Sequence, residues 1–387
     1  MAELTDNAVV AAPAVDALVT ARGEPAWLAD ERRAALRTFE ATKWPGPRDE
    51  LWRYTQLERF SVAGLDLVPG PRDRDVSERI RMRIKDSDAE GIMVVKNGEP
   101  VLREARVREA GVIFTDMATA LREHEDLVRQ HLYTAVNAPM TKFTALNSAL
   151  WTGGTFVYVP KDVEVELPLG TFTTADRGGL GAGRTLIVVD VNAKATFIDE
   201  FTSDPLPGRL FHDHATEIVL KDGAKLRYVS LQNWSREVAH VHKQRAFVGR
   251  DARLESLTVS LGGDAARVEV ESELGGTGAE SEMLGLYFAD EGQHFNQYTV
   301  QHHSAPRAFS DVLFKGAVRD ASTAVYSGII IVDPGAQKTD AYQTNRNLLL
   351  DRESEAVSIP QLEIAANDVK CSHGSTTGPV PEDQRFY

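Results

Sequence analysis

"ATEIVLKDGAKLRYVSL", residues 215–231, reads as two strands joined by a sharp turn. Apolar and polar residues alternate on both sides of Asp222-Gly223, the period-two pattern of a strand with two unlike faces. The unit recurs along the chain. "TFVYVP", "RTLIVVDV", "RLESLTVSL" and "YSGIIIVD" read as strands, and "VNAKA", "GRDAR", "TGAES", "RDAST" and "DPGAQ" read as turns that set Asn, Asp or Gly next to Ala. Several of these turns fall roughly 27 to 31 residues apart. Strand–turn units without intervening helices suit a sandwich, a barrel, or a solenoid that coils its strands in parallel. In a solenoid each coil covers the edge of the one before, and Gly or Asn supplies the corners. Alternation alone leaves these architectures open.

This character begins near Phe143. Before it, from about Pro25 to Leu132, the pattern is mixed. Leu28, Leu36 and Phe39 fall at near-helical spacing in a segment that stops at "PGP". "GIMVVKNGEPVL" predicts a hairpin turning at Asn97-Gly98, and Thr115 or Asp116 is a candidate N-cap for another helix. The expected divisions are a partly disordered tail over 1–24, an α/β unit over 25–142, a strand-rich core over 143–366 and a C-terminal segment over 367–387.

Composition narrows the functional classes. The formal charge is -14, from 57 acidic against 43 basic residues, which disfavours phosphate backbones and so nucleic acid as a partner. One cysteine in 387 residues cannot form an intrachain disulfide. The first residues lack a basic region before an apolar core, and no run of 18 apolar residues occurs. The expectation is a soluble cytoplasmic protein.

Histidine pairs are the first candidate site. His212 with His214, and His240 with His242, put two imidazoles on one face of a strand; His302 and His303 form a third pair. Imidazole suits zinc, iron and copper, although display to solvent or to neighbouring turns accounts for such pairs as well. "GGLGAGR", residues 178–184, has neither the lysine-serine nor the spacing of a phosphate loop and reads as a flexible loop, so no nucleotide is expected on this chain. "RDELW" and the carboxylates of Glu164 and Glu166 are candidates for acid/base work in a carbohydrate-cleaving solenoid, the rival reading. Glu164 and Glu166 sit in what reads as an alternating strand, where solvent-facing charge is the better account.

The remaining candidate is "NDVKCSHGSTTG", residues 367–378, which holds the single thiol. If "VKCSH" is extended, Cys371 and His373 point the same way. Lys370 and the nearby imidazole would favour the thiolate, the form that binds metal. Iron–sulfur clusters commonly need four ligands, so a cluster on this chain is either shared with a second subunit or absent, and an ordinary exposed thiol in a loop is the other reading.

"LEIAANDVKCSHGSTTG" closely resembles the C-terminal signature of the SufB/SufD family, the scaffold proteins of SUF iron–sulfur cluster assembly. "PGPRDELWRYTQLERF" is similar to the family's N-terminal motif of SufD type. "FTALNSALWTGGTFVYVPKDVEVELPL" and "SGIIIVDPGAQKTDAYQTNRNLLL" resemble its entry into the strand region and its late strands. The resemblance runs from about residue 45 to 378. It implies a mainly β fold, a right-handed parallel β-helix carrying an N-terminal helical or α/β domain. It also implies a non-enzymatic scaffold in a SufB–SufC–SufD complex, pairing with a SufB-like subunit and served by a SufC-like ATPase. Cys371 and His373 would lie near a transient, shared cluster, with His373 the better ligand; self-pairing as a homodimer is a further reading that the sequence leaves open. The Trp-Tyr-Thr motif and the single cysteine favour the SufD branch. In the family a helical segment that docks the ATPase follows the Cys motif, whereas this sequence stops at "PEDQRFY", about where that segment begins.

Overall fold

The computed structural model describes residues 9–379, apart from Arg106 and Arg108. The first part holds helices α1 (Ala12–Arg22), α2 (Ala26–Ala41), α3 (Glu78–Lys85), α4 (Met117–Glu123), α5 (Glu125–His131) and α6 (Lys142–Leu150). With them are strands β1 (Gly91–Lys96), β2 (Glu99–Ala105) and β3 (Ile113–Asp116). The strands that follow are β4 (Thr155–Val159), β5 (Leu169–Thr174), β6 (Gly179–Val189), β7 (Lys194–Thr202), β8 (Leu210–Leu220), β9 (Lys225–Asn233), β10 (Val238–Val248) and β11 (Arg253–Ser260). They continue with β12 (Ala265–Leu274), β13 (Glu280–Ala289), β14 (His294–His303), β15 (Phe309–Val318), β16 (Thr323–Val332), β17 (Asp340–Leu349), β18 (Glu355–Ile364) and β19 (Lys370–Pro379).

These strands form a parallel β-solenoid of about eight turns. The sheet order is β19-β17-β15-β13-β11-β9-β7-β5-β1-β2 in one wall and β18-β16-β14-β12-β10-β8-β6-β4-β3 in the other. Each coil thus gives one strand to each wall. Only β1 with β2 and β3 with β4 pair antiparallel, and these close the first coil.

The turn signature now has a physical reading. Asn192, Gly223, Asp251, Gly278 and Arg307 each adopt positive φ, between 54° and 74°, which turns the chain sharply. The residues that follow them, Ala193, Ala224, Ala252, Ala279 and Ala308, are all buried. A small side chain fits inside the corner where a larger one would collide. Each corner also ties to the next: Asn192 N–H donates to the Asp222 carbonyl (3.0 Å), Gly223 to Arg250 (2.8 Å), and Asp251 to Thr277 (3.1 Å). Because corners stack, strands stay in register and like positions form rows. Val189, Leu220, Val248, Leu274, His303 and Val332 make one such inward row. Ring and glycine alternate in another part of the interior: Gly285 lies against Phe314 and Gly316 against Tyr287.

Two expectations need correction. The tail over 1–24 contains α1, which is held by buried Val15, a left-handed Gly23 at its end and a Glu24–Arg32 ion pair of 2.6 Å that is buried on both sides. Residues 1–8 lie outside the described part. The strand region also starts later than Phe143, because "KFTALNSAL" is α6, capped by Thr141. Short apolar runs do not distinguish a buried helix from a buried strand. The Asn97-Gly98 hairpin forms as expected, and Asp116 does cap α4.

Replacing Gly316 by Ala inserts a methyl into the Tyr287 ring, so we expect a loss of about 1–3 kcal/mol in urea denaturation. Gly374→Ala, where a Cβ meets nothing within 4 Å, should leave the midpoint unchanged.

Candidate functional site

The two ends of the solenoid differ. The first coil is covered by its antiparallel strands and by α2 and α6, whose apolar faces pack on β6, β8, β10 and β12 through Leu36, Phe39, Phe143, Leu146 and Leu180, Phe211, Val241. The last coil, β18 and β19, has a partner on one side only among the described residues. Leu362 and Ile364 stand in register with fully buried Ile330 and Val332, so they face inward, yet they are 36% and 42% exposed. Among the described residues nothing covers them. Two adjacent ten-residue edges with free backbone groups are a template for another chain.

Cys371 and His373 both lie in this last coil. The segment is extended, as expected, and the two side chains share the inward face: Cys371 pairs with Ala341 and His373 with Gln343. Cys371 is half-buried against Ile330, Val332, Ala336 and Ala341. His373 is exposed, and beneath it the Gln343 Oε1 is buried with no hydrogen-bond partner among the described residues. One expectation fails here. Burial first, and then the Asp340 carboxylate, push the Cys371 thiol up rather than down, because Lys370 projects to the opposite face. The thiol form is favoured in the uncovered chain.

Of the other paired histidines, all but His302 lie inside the solenoid rather than on its surface. His212, His214, His240 and His242 are all buried, with His212 in register with His240 and His214 with His242. The Nδ1 atoms of His212 and His240 are 3.1 Å apart, and Phe201 packs among all four rings. Thr185 Oγ1 lies 3.1 Å from His214 Nε2, and Thr216 Oγ1 lies 2.9 Å from His242 Nε2. His302 and His303 face opposite ways: His302 meets Asp333 at 3.2 Å near the surface, and His303 is buried against Ser310 at 2.8 Å. Among the described residues no three His, Cys, Asp or Glu side chains stand ready around a single ion.

"GGLGAGR" is not a loop. Gly179 to Arg184 open β6, and their missing side chains make room for neighbours: a Cβ on Gly183 would stand 2.7 Å from His214 Nδ1. Arg184 is wholly buried, paired to Glu217 at 2.7 Å, whose carboxylate also accepts from the backbone of Tyr133, Ala135 and Val136. Glu164 and Glu166 are exposed, as expected, but in an irregular segment rather than a strand, and Glu164 pairs with Lys194 at 2.7 Å. "RDELW" is a docking element. Trp52 is buried, stacks on Phe143 (5.3 Å) and lies under the Arg267 guanidinium (3.8 Å). Thr55 accepts from Asn296 at 2.5 Å, and Glu50 accepts from Gln361 of β18 at 2.7 Å. Sequence reading missed Leu362, Ile364 and Gln343; their signal was an inward register at the last coil, visible only once coils were counted.

Comparison with known proteins agrees with this picture. Residues 172–387 match the family model of the SUF system FeS cluster assembly SufBD core domain, and residues 16–170 match that of the SufBD protein N-terminal region. A protein of Staphylococcus epidermidis described as an iron–sulfur cluster assembly SufBD family protein is 29% identical over 375 residues, covering 94% of this chain and 81% of its own. A likewise described protein of Staphylococcus aureus is 28% identical over 377 residues, with 95% and 81% covered.

The buried imidazoles tie stability to pH. Burial pushes His212, His242 and His294 down to about 3 and His303 to about 4, against an ordinary value near 6.5. Between those values the unfolded chain binds protons that the native chain refuses, so stability falls as pH drops from about 6.5 towards 4. Each histidine contributes a slope of about 1.4 kcal/mol per pH unit in that window. Asp199, pushed up to about 7 by burial, and Asp213, which burial pushes well above the ordinary carboxylate range, oppose two of them. The urea midpoint should therefore fall between pH 7 and 5. His242→Gln should flatten that slope by about one histidine's share; an unchanged slope contradicts the assignment.

Proposed function

The chain belongs to the SufBD family of iron–sulfur cluster assembly proteins, and on that premise we propose that it is a non-catalytic scaffold subunit of SufD type. Its last coil pairs with the corresponding coil of a SufB-like subunit. The observation that carries this reading is the last coil, where, among the described residues, two strand edges stay unpaired beside the only thiol. A β-solenoid that continues across two chains would cover Leu362 and Ile364 and satisfy the free backbone of β18 and β19.

The cluster is cargo at that seam. Cys371 and His373 supply at most two donors where four are common, so the partner supplies the rest. His373 needs no deprotonation beyond its neutral form and is exposed, which makes it the better ligand. Cys371 assists once partner groups cover the seam and stabilise its thiolate. ATP hydrolysis belongs to a SufC-like partner: the one glycine-rich stretch that drew attention is a buried strand packed on histidines. The motion that the ATPase drives opens or closes the seam, and the site of action is the cytoplasm. Without partners, two copies can pair by their last coils.

Coexpression with SufB-like and SufC-like partners tests the reading. Leu362→Glu combined with Ile364→Glu should leave the isolated fold intact and abolish the complex on size exclusion. His373→Ala should keep the complex and lower its iron and sulfide content several-fold. An intact complex in the first case, or unchanged loading in the second, contradicts it.

A further inference from the structure

A cavity of about 30 Å³ lies inside the first coils, bordered by His212, His214, Gly181, Gly183, Asn97 and Thr152. It exists because β6 carries glycines where β8 carries histidines: Gly181 is in register with His212 and Gly183 with His214. Any side chain at Gly183 would strike His214 Nδ1. The volume suits a guest of atomic size, since about 10–15 Å³ admits one water.

The surrounding polar atoms are arranged for such a guest. His214 directs Nε2 to Thr185, with Asp199 at 3.9 Å behind it, and its Nδ1 is buried with no partner among the described residues. That is the arrangement of a metal-bound imidazole, in which one nitrogen is oriented by hydroxyl or carboxylate and the other offers its lone pair. His212 and His214, two residues apart on β8, hold near-parallel rings with centroids 5.8 Å apart. His240 has its own unpartnered Nε2, behind the His212–His240 contact. An access route is present. Asn97, Gly98 and Thr152–Gly154 also line a basin of about 590 Å³ beneath α1, which Asp116 and Glu99 edge with carboxylates.

We propose that His212 and His214 bind one borderline divalent transition-metal ion in this cavity, with Asp199 positioning His214 through Thr185. Two protein ligands leave the other positions to water, so the ion is exchangeable rather than structural. The site stands apart from the last coil and does not depend on the role of Cys371 or His373.

Anaerobic titration of the full chain with cobalt(II), followed by its visible bands and by X-ray absorption, tests this. One ion per chain should bind with imidazole scattering at about 2.1 Å. His212→Gln and His214→Gln should each weaken binding tenfold or more, and Gly183→Ala, which keeps every histidine, should do the same by filling the cavity. His302→Ala should change nothing. X-ray absorption of the unaltered chain decides the point even if a variant fails to fold: no stoichiometric binding, or binding without imidazole, overturns the proposal. Binding that survives His212→Gln and Gly183→Ala, or that is lost with His373→Ala, overturns it as well and moves the ion to the last coil.

Discussion

Everything in this molecule follows from the hydrogen bond between one corner and the next. The corner residue takes a left-handed conformation, its N–H reaches the carbonyl one coil on, and at five corners the residue after it is a buried alanine. Once those conditions repeat, the strands between corners have no freedom of register. Side chains then stack in rows, and the protein can place glycine beside phenylalanine or histidine beside histidine at will. The same constraint creates the functional problem, because a stack of coils has two ends and each exposes the backbone of its final strands.

Among the described residues that problem is solved at one end only. Antiparallel β2 and β3 terminate the two walls, and α2 and α6 cover the first coils, with Trp52 and Arg267 fastening the N-terminal segment along the even-numbered wall. At the other end the inward row simply stops at Leu362, Ile364, Cys371 and His373. A half-buried thiol whose proton is held by burial and by Asp340 is poorly suited to act alone. On the proposed reading it becomes useful when a second chain extends the stack and brings its own charges and donors.

Much of this was legible in the sequence. The 27-to-31-residue turn spacing marks the coils, and the Asn, Asp or Gly followed by Ala marks the corners. Once "VKCSH" is taken as extended, the shared face of Cys371 and His373 follows from strand geometry alone. Other features were hidden for identifiable reasons. "KFTALNSAL" is buried all round, its polar Lys142, Thr144, Asn147 and Ser148 included, which erases its helical period. "GGLGAGR" has loop composition, yet its glycines answer to histidines on the neighbouring strand, a relation between coils that no local window contains. The histidine pairs read as surface features because polar residues usually are, whereas here they pack on Phe201 and on hydroxyls inside the stack. Lys370 stands next to Cys371 in the chain but on the other face of its strand.

Amide hydrogen exchange, read residue by residue with and without a SufB-like partner, addresses the central claim most directly. The account predicts fast exchange at the outer edges of β18 and β19 in the isolated chain and strong protection there in the complex, with the Asn97-Gly98 hairpin unchanged. Protection that appears instead at the hairpin end, or edges of β18 and β19 that remain exchangeable in a stable complex, would contradict it.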